Sequence, residues 1–184
     1  MINLIYINDN ESFRLYDEIT SIEVIDIESN LENKIIQSNF YDEEGNVNNI
    51  PYDIELKRIT VKSNYLRSLN LEEEIYVLTG TTKNSTDSLN KDGVYLSGCI
   101  CWVDNLGIGN EILFVSGSRS GSYSGDANYT VTAGTTPIGS GTFTNSFYDN
   151  SVAGENAMTF RLRINSYDSS GNKITLSIAT SLID

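Results

Sequence analysis

The sequence predicts an all-β fold, an antiparallel β-sandwich of the Ig-like or jelly-roll-like kind, and three observations carry that expectation. Short runs rich in Ile, Val, Thr, Tyr and Phe recur along the chain, the clearest of them alternate apolar with polar residues, and turn motifs of defined chemistry separate them. The runs lie at 21–27 (SIEVIDI), 34–41 (KIIQSNFY), 52–61 (YDIELKRITV), 73–80 (EEIYVLTG), 93–103 (GVYLSGCICWV), 111–118 (EILFVSGS), 128–134 (NYTVTAG), 141–148 (GTFTNSFY), 158–167 (MTFRLRINSY) and 173–183 (KITLSIATSLI). Helical spacing fits only YLRSLNLEEE, residues 65–74.

Turn chemistry assigns the pairing. The pattern YDxxGN occurs at 41–46 and 167–172, and its DxxG part recurs at 104–107. Asp in the first position accepts bonds from the turn's own backbone, and Gly in the fourth supplies the positive φ that closes a type I turn into a hairpin. Three hairpins follow, at 34–54, 94–117 and 160–181. In the last, Phe160, Leu162 and Ile164 share one face and answer Ile174, Leu176 and Ile178 on the return strand. Lys173, Thr175 and Ser177 then fall on a face expected to be wet.

Composition divides the chain. Only Gly45 of fourteen glycines precedes residue 80, and residues 1–72 carry 14 acids against 6 bases, against 11 and 6 in the remainder. The expectation is an acidic, β-rich N-terminal region over 1–72, either a small unit or extra strands on the same sheets, and a Gly/Ser/Thr-rich sandwich over 73–184.

A net charge of −13 with only twelve Lys and Arg argues against nucleic acid and against anionic membranes. No run of eighteen apolar residues is present, so no membrane-spanning helix is expected. The first residues lack the pattern of a signal peptide, yet abundant Ser, Thr, Asn, Gly and Tyr favour a secreted or cell-surface setting. The turns and Ser/Gly-rich strands have the general look of extracellular bacterial β-domains, and no motif names a family.

The chain contains no histidine, which removes Ser-His-Asp and Cys-His nucleophile systems and the usual catalytic zinc sites. Neither GxSxG nor a phosphate loop occurs. No catalytic residue, metal ligand or cofactor is assigned. Calcium is the one ion considered: Asn90 and Asp92 alternate before Gly93, but Ser88 holds the first ligand position and Cys99 the place of the closing Glu, so 88–93 reads as a turn. Cys99 and Cys101 fall on one face of a strand with parallel Cβ vectors, which reads as two small buried hydrophobes rather than a disulfide. Trp102 on the same apolar run reads as core.

The stretch SGSRSGSYSG, residues 116–125, is read by parity. Its even positions are all serine, and its odd positions are Gly, Arg, Gly, Tyr, Gly. As a strand it presents a serine ladder to solvent, with Arg119 and Tyr123 standing over glycine gaps on the other face. Arg119 and Tyr123, with Tyr129 on the next run, are the candidate binding residues, able to stack and to donate forked hydrogen bonds. The expected function is a non-enzymatic domain binding a carbohydrate or a protein partner. A carboxylate-based glycoside-active enzyme and a β-hairpin pore-forming protein are the alternatives.

Overall fold

The computed structural model describes residues 2–7, 12–17, 22–28, 35–36, 53–63, 73–82, 93–105, 109–149, 152 and 159–181. The strands are β1 (Ile2–Ile7), β2 (Ser12–Asp17), β3 (Ile22–Glu28), β4 (Ile35–Ile36), β5 (Asp53–Ser63), β6 (Glu73–Thr81), β7 (Val94–Asn105), β8 (Gly109–Gly121), β9 (Ala127–Ala133), β10 (Thr136–Phe143), β11 (Ser146–Asp149), β12 (Thr159–Tyr167) and β13 (Lys173–Ser181). They form a six-stranded sheet, β11-β8-β7-β6-β5-β3, a five-stranded sheet, β10-β9-β12-β13-β4, and the β1–β2 hairpin. Every strand pairing among the described residues is antiparallel.

The two large sheets share one core. β7 sends Val94, Leu96, Ile100 and Trp102 inward, and β12 answers with Phe160, Leu162 and Ile164, all fully buried. Alternation along each strand produces this, since period-two patterning places every second residue on the face that meets the other sheet. Trp102 stacks on Tyr76 at 5.4 Å and meets Phe160 edge-on at 6.2 Å, so it is core, as its apolar strand suggests. Gly98 keeps the sheets close: a Cβ there would stand 3.2 Å from Leu162, Ile164 and Leu176.

The apolar run ILFV does not simply alternate, and a β-bulge explains why. Cys101 pairs with Phe114 but Trp102 pairs with Ile112, which leaves Leu113 as the extra residue. The bulge resets parity. Ile112 and Val115, an odd number of residues apart, both face the core, and Phe114 and the serines that follow face away.

The 167–172 turn follows its sequence chemistry. Asp168 Oδ1 accepts from the backbone N–H of Ser170 (2.9 Å) and Asn172 (2.7 Å), Oδ2 accepts from Asn172 Nδ2 (2.9 Å), and Gly171 sits at φ +86°. The β7–β8 pairing runs from Val94↔Gly121 to Asn105↔Gly109, with its register shifted once at the bulge. The first expected hairpin is different. Ile35 and Ile36 pair with Thr180 and Ala179 of β13, while β5 belongs to the other sheet; the turn at 41–46 lies outside the described residues. The expected helix at 65–74 also falls largely outside them, and its last two residues open β6.

Strands on both sides of residue 72 share a sheet, because β5 pairs with β6 from Asp53↔Thr81 to Val61↔Glu73. The face of β13 turned away from the core is wet only in part: Lys173 is exposed, but Thr175 and Ser177 are 1% and 6% exposed. Thr175 Oγ1 donates to Asn165 Oδ1 across the β12–β13 pair (2.7 Å).

Candidate functional site

The stretch 116–125 is a strand only as far as Gly121. There the backbone reaches φ +94°, and a Cβ would lie 1.7 Å from the Gly93 carbonyl oxygen, so only glycine fits. Residues 122–126 then cross from the six-stranded to the five-stranded sheet. Ser124 anchors that crossing on the Asp168 turn, with its N–H donating to Tyr167 O (3.0 Å) and its hydroxyl to Asp168 O (2.6 Å).

Parity assigns the two faces as expected in part. Ser118, Ser120, Ser122 and Ser124 are exposed and Ser116 is half-buried. The opposite face, however, is the interior. Arg119 is 5% exposed, and its guanidinium donates from Nε to Thr144 O (2.5 Å), from Nη2 to Gly125 O (2.5 Å) and from Nη1 to Ser166 Oγ (3.0 Å). It also lies 3.9 Å from the Tyr123 ring centroid. These acceptors come from the β8–β9 crossing, the β10–β11 bend and β12, so one side chain ties both crossings to the second sheet. Three oriented acceptors and an aromatic face offset the desolvation of the charge.

Tyr123 is half-buried beneath that guanidinium and donates its hydroxyl to Asn145 Oδ1. Tyr129 is 7% exposed, stacks on Phe147 at 3.9 Å, and donates to Asp149 Oδ2 (2.7 Å). Burial, with the Asp149 carboxylate beside it, pushes its phenol up to about 12. Phe143 and Phe147 connect the Arg119–Tyr123 pair to Tyr129 through ring contacts. The candidate trio is thus brought into one cluster, turned inward and engaged with the chain's own groups.

What sequence reading missed lies on the outer face of the six-stranded sheet. Register places Thr81 opposite Ser97, Ser97 opposite Ser118, and Ser118 opposite Ser146, a row of four hydroxyls across β6, β7, β8 and β11. The row spans about 14 Å, three strand spacings of ~4.8 Å. Ser97 donates to Thr81 Oγ1 (3.3 Å), and Ser97, Ser118 and Ser146 are exposed. Beside it, Tyr95 pairs with the exposed Ser120, and on the other side runs Thr79–Cys99–Ser116–Tyr148.

Tyr148 is the exposed large hydrophobic among the described residues, at 49%, and its ring stacks at 5.3 Å on Phe114, which is fully buried. Farther along the face, Cys99 and Cys101 are free and buried; burial pushes the Cys99 thiol up to about 12 and Cys101 well above its ordinary value. They are inert hydrophobes rather than nucleophiles. At the β5 border of this surface Lys57 Nζ lies 3.7 Å from Glu55 Oε1, and register places Asp53 opposite Thr81 at the end of the row.

Among the described residues no cluster of His, Cys, Asp and Glu could hold a metal ion, and no helix is long and apolar enough to cross a membrane. The segment 88–92 lies outside the described residues. No protein-family model, curated protein or solved structure matches the chain.

Proposed function

We propose that this chain is a non-enzymatic binding domain, a secreted or surface-displayed β-sandwich of the Ig-like or jelly-roll-like kind, that holds a neutral glycan on the outer face of its six-stranded sheet. The observation that carries the reading is Tyr148, a half-exposed ring stacked on Phe114 and adjoining a row of hydroxyls on four strands. A pyranose presents an apolar C–H face and a rim of hydroxyls. Tyr148 suits the first, and Thr81, Ser97, Ser118, Ser120 and Ser146, each both donor and acceptor, suit the second. Strand spacing fits one sugar ring per strand in order of size, and a net charge of −13 disfavours anionic chains.

The test is a glycan array followed by calorimetric titration of the best neutral oligosaccharide against wild type, Tyr148→Ala and Ser118→Arg. The reading expects Tyr148→Ala to lose at least tenfold in affinity and Ser118→Arg to block the row while both keep the wild-type melting profile within a few degrees. Turnover of a polysaccharide, abolished by a single Asp or Glu substitution, would replace it with the glycosidase alternative.

A further inference from the structure

The two large sheets have four ends, and these are not guarded alike. An edge strand presents a row of backbone N–H and C=O groups with which another chain can pair, and charge, shortness or a covering segment normally prevents it. β3 carries Glu23, Asp26 and Glu28, β11 has four residues and closes on Asp149, and β4 has two. β13, which pairs with β4 only at Ala179 and Thr180, opens on Lys173 and is buried from Ile174 to Ala179.

β10 lacks these devices along most of its length. It is eight residues long, it ends the five-stranded sheet, and its Thr136, Pro137, Ser140 and Thr142 are exposed. Pro137 and the bulge between Pro137 and Gly139 blunt its start and leave the stretch from Gly139 to Phe143. That stretch is held from within: a Cβ at Gly139 would stand 3.0 Å from Val152, and one at Gly141 2.8 Å from the Tyr129 ring. A strand fixed against its own core is preorganised, so pairing with it costs less ordering. Charge is also missing around it. Residues 127–148 contain no Asp, Glu, Lys or Arg, although 20% of the whole sequence is charged.

We propose that β10 is a self-association edge, on which a second copy of this chain adds its own β10 antiparallel about a two-fold axis, so that the two five-stranded sheets become continuous. Charge selects the second copy as the occupant. Two chains of net charge −13 repel wherever their acids face one another, and the uncharged 127–148 segment lets them meet without that opposition. An isologous pairing needs no second sequence, because each edge supplies the donors and acceptors that its copy requires. A short ladder of small side chains makes a weak dimer, with a dissociation constant on the order of 10–100 µM.

Sedimentation equilibrium of the intact chain reads the stoichiometry, and amide hydrogen exchange reads the surface. A monomer–dimer equilibrium is expected, with exchange over 139–143 slowed in the dimer. It should tighten as salt rises from about 50 mM to about 500 mM, since screening relieves the repulsion. Ser140→Glu should weaken dimerisation by about tenfold or more, because it brings two carboxylates into the joint. Ser169→Glu, the same charge on an exposed turn, should leave it within about twofold, and both variants should keep the wild-type melting temperature. A chain that stays monomeric up to about 1 mM, a dimer indifferent to Ser140→Glu, or one whose 139–143 amides exchange at the monomer rate would overturn the proposal. Protection of those amides only by an added uncharged peptide would overturn it too, by giving the edge to a foreign strand.

Discussion

Replacing Arg119 by Met removes the guanidinium and keeps an unbranched side chain of similar reach, so it isolates what the charge does. Three acceptors lose their donor: Thr144 O, Gly125 O and Ser166 Oγ. Thr144 and Gly125 are exposed and can turn to water, whereas Ser166 is fully buried and cannot. A hydrogen bond to a charged group contributes about 1.5–3 kcal/mol net, and the contact with Tyr123 adds about 0.5–2. Against this stand the relief of a desolvated charge and rehydration at the two bends. The balance is a loss of about 2–4 kcal/mol, with non-additivity among contacts of one side chain setting the width. Equilibrium unfolding in urea, followed by fluorescence of the single tryptophan, the fully buried Trp102, reads it directly. Arg119→Lys should fall between, since a point charge cannot reach three acceptors in different directions. A loss under about 0.5 kcal/mol would refute the reasoning and return Arg119 to the ligand-binding residues.

Three further outcomes follow from the packing and the titrating groups. Gly117→Val should destabilise by at least about 1–3 kcal/mol in the same urea assay, because a Cβ there would stand 2.5 Å from Phe147 and 2.6 Å from Ile164. Ser118→Thr, on the exposed side of the same strand, should stay within about 0.5 kcal/mol. Native Cys99 and Cys101 should resist a thiol reagent at pH 8 and both react after denaturation. Cys99 is raised from 9.0 and Tyr129 from 10.0, each to about 12 in the fold, so the unfolded chain releases these protons first. Stability is therefore full below pH 9 and falls between pH 9 and 12, by up to ~1.4 kcal/mol per pH unit for each group in its window; urea midpoints across that range measure it.

The parts of the fold legible in the sequence are those fixed locally. The β12–β13 hairpin declares itself through alternation and through an Asp and a Gly whose turn roles are chemical, and both play those roles. β10 went unread because Pro137, Gly139 and Gly141 argue against a strand, yet it is an edge strand, where a missing N–H and small residues are tolerated. The run 141–148 read as one strand; it breaks at Thr144–Asn145, where the chain changes sheets.

Parity separated the two faces of 116–121 correctly but could not say which one met the core. Serine on one side and Arg and Tyr on the other suggested a ligand on the second, because arginine is seldom buried. The deciding partner is Ser166, 47 residues away. The hydroxyl row was equally hidden, for Thr81, Ser97, Ser118 and Ser146 sit on four strands and become neighbours only through a register that no local pattern encodes.

Backbone amide shift mapping during titration with a neutral oligosaccharide from the array tests the central claim most directly. The account predicts saturable perturbations centred on Ser97, Ser118, Ser120, Ser146 and Tyr148, with the amides of Arg119 and Gly125 nearly unmoved. Perturbations centred instead on Arg119, Tyr123 and Tyr129 would contradict it and place the ligand on the opposite face of the strand.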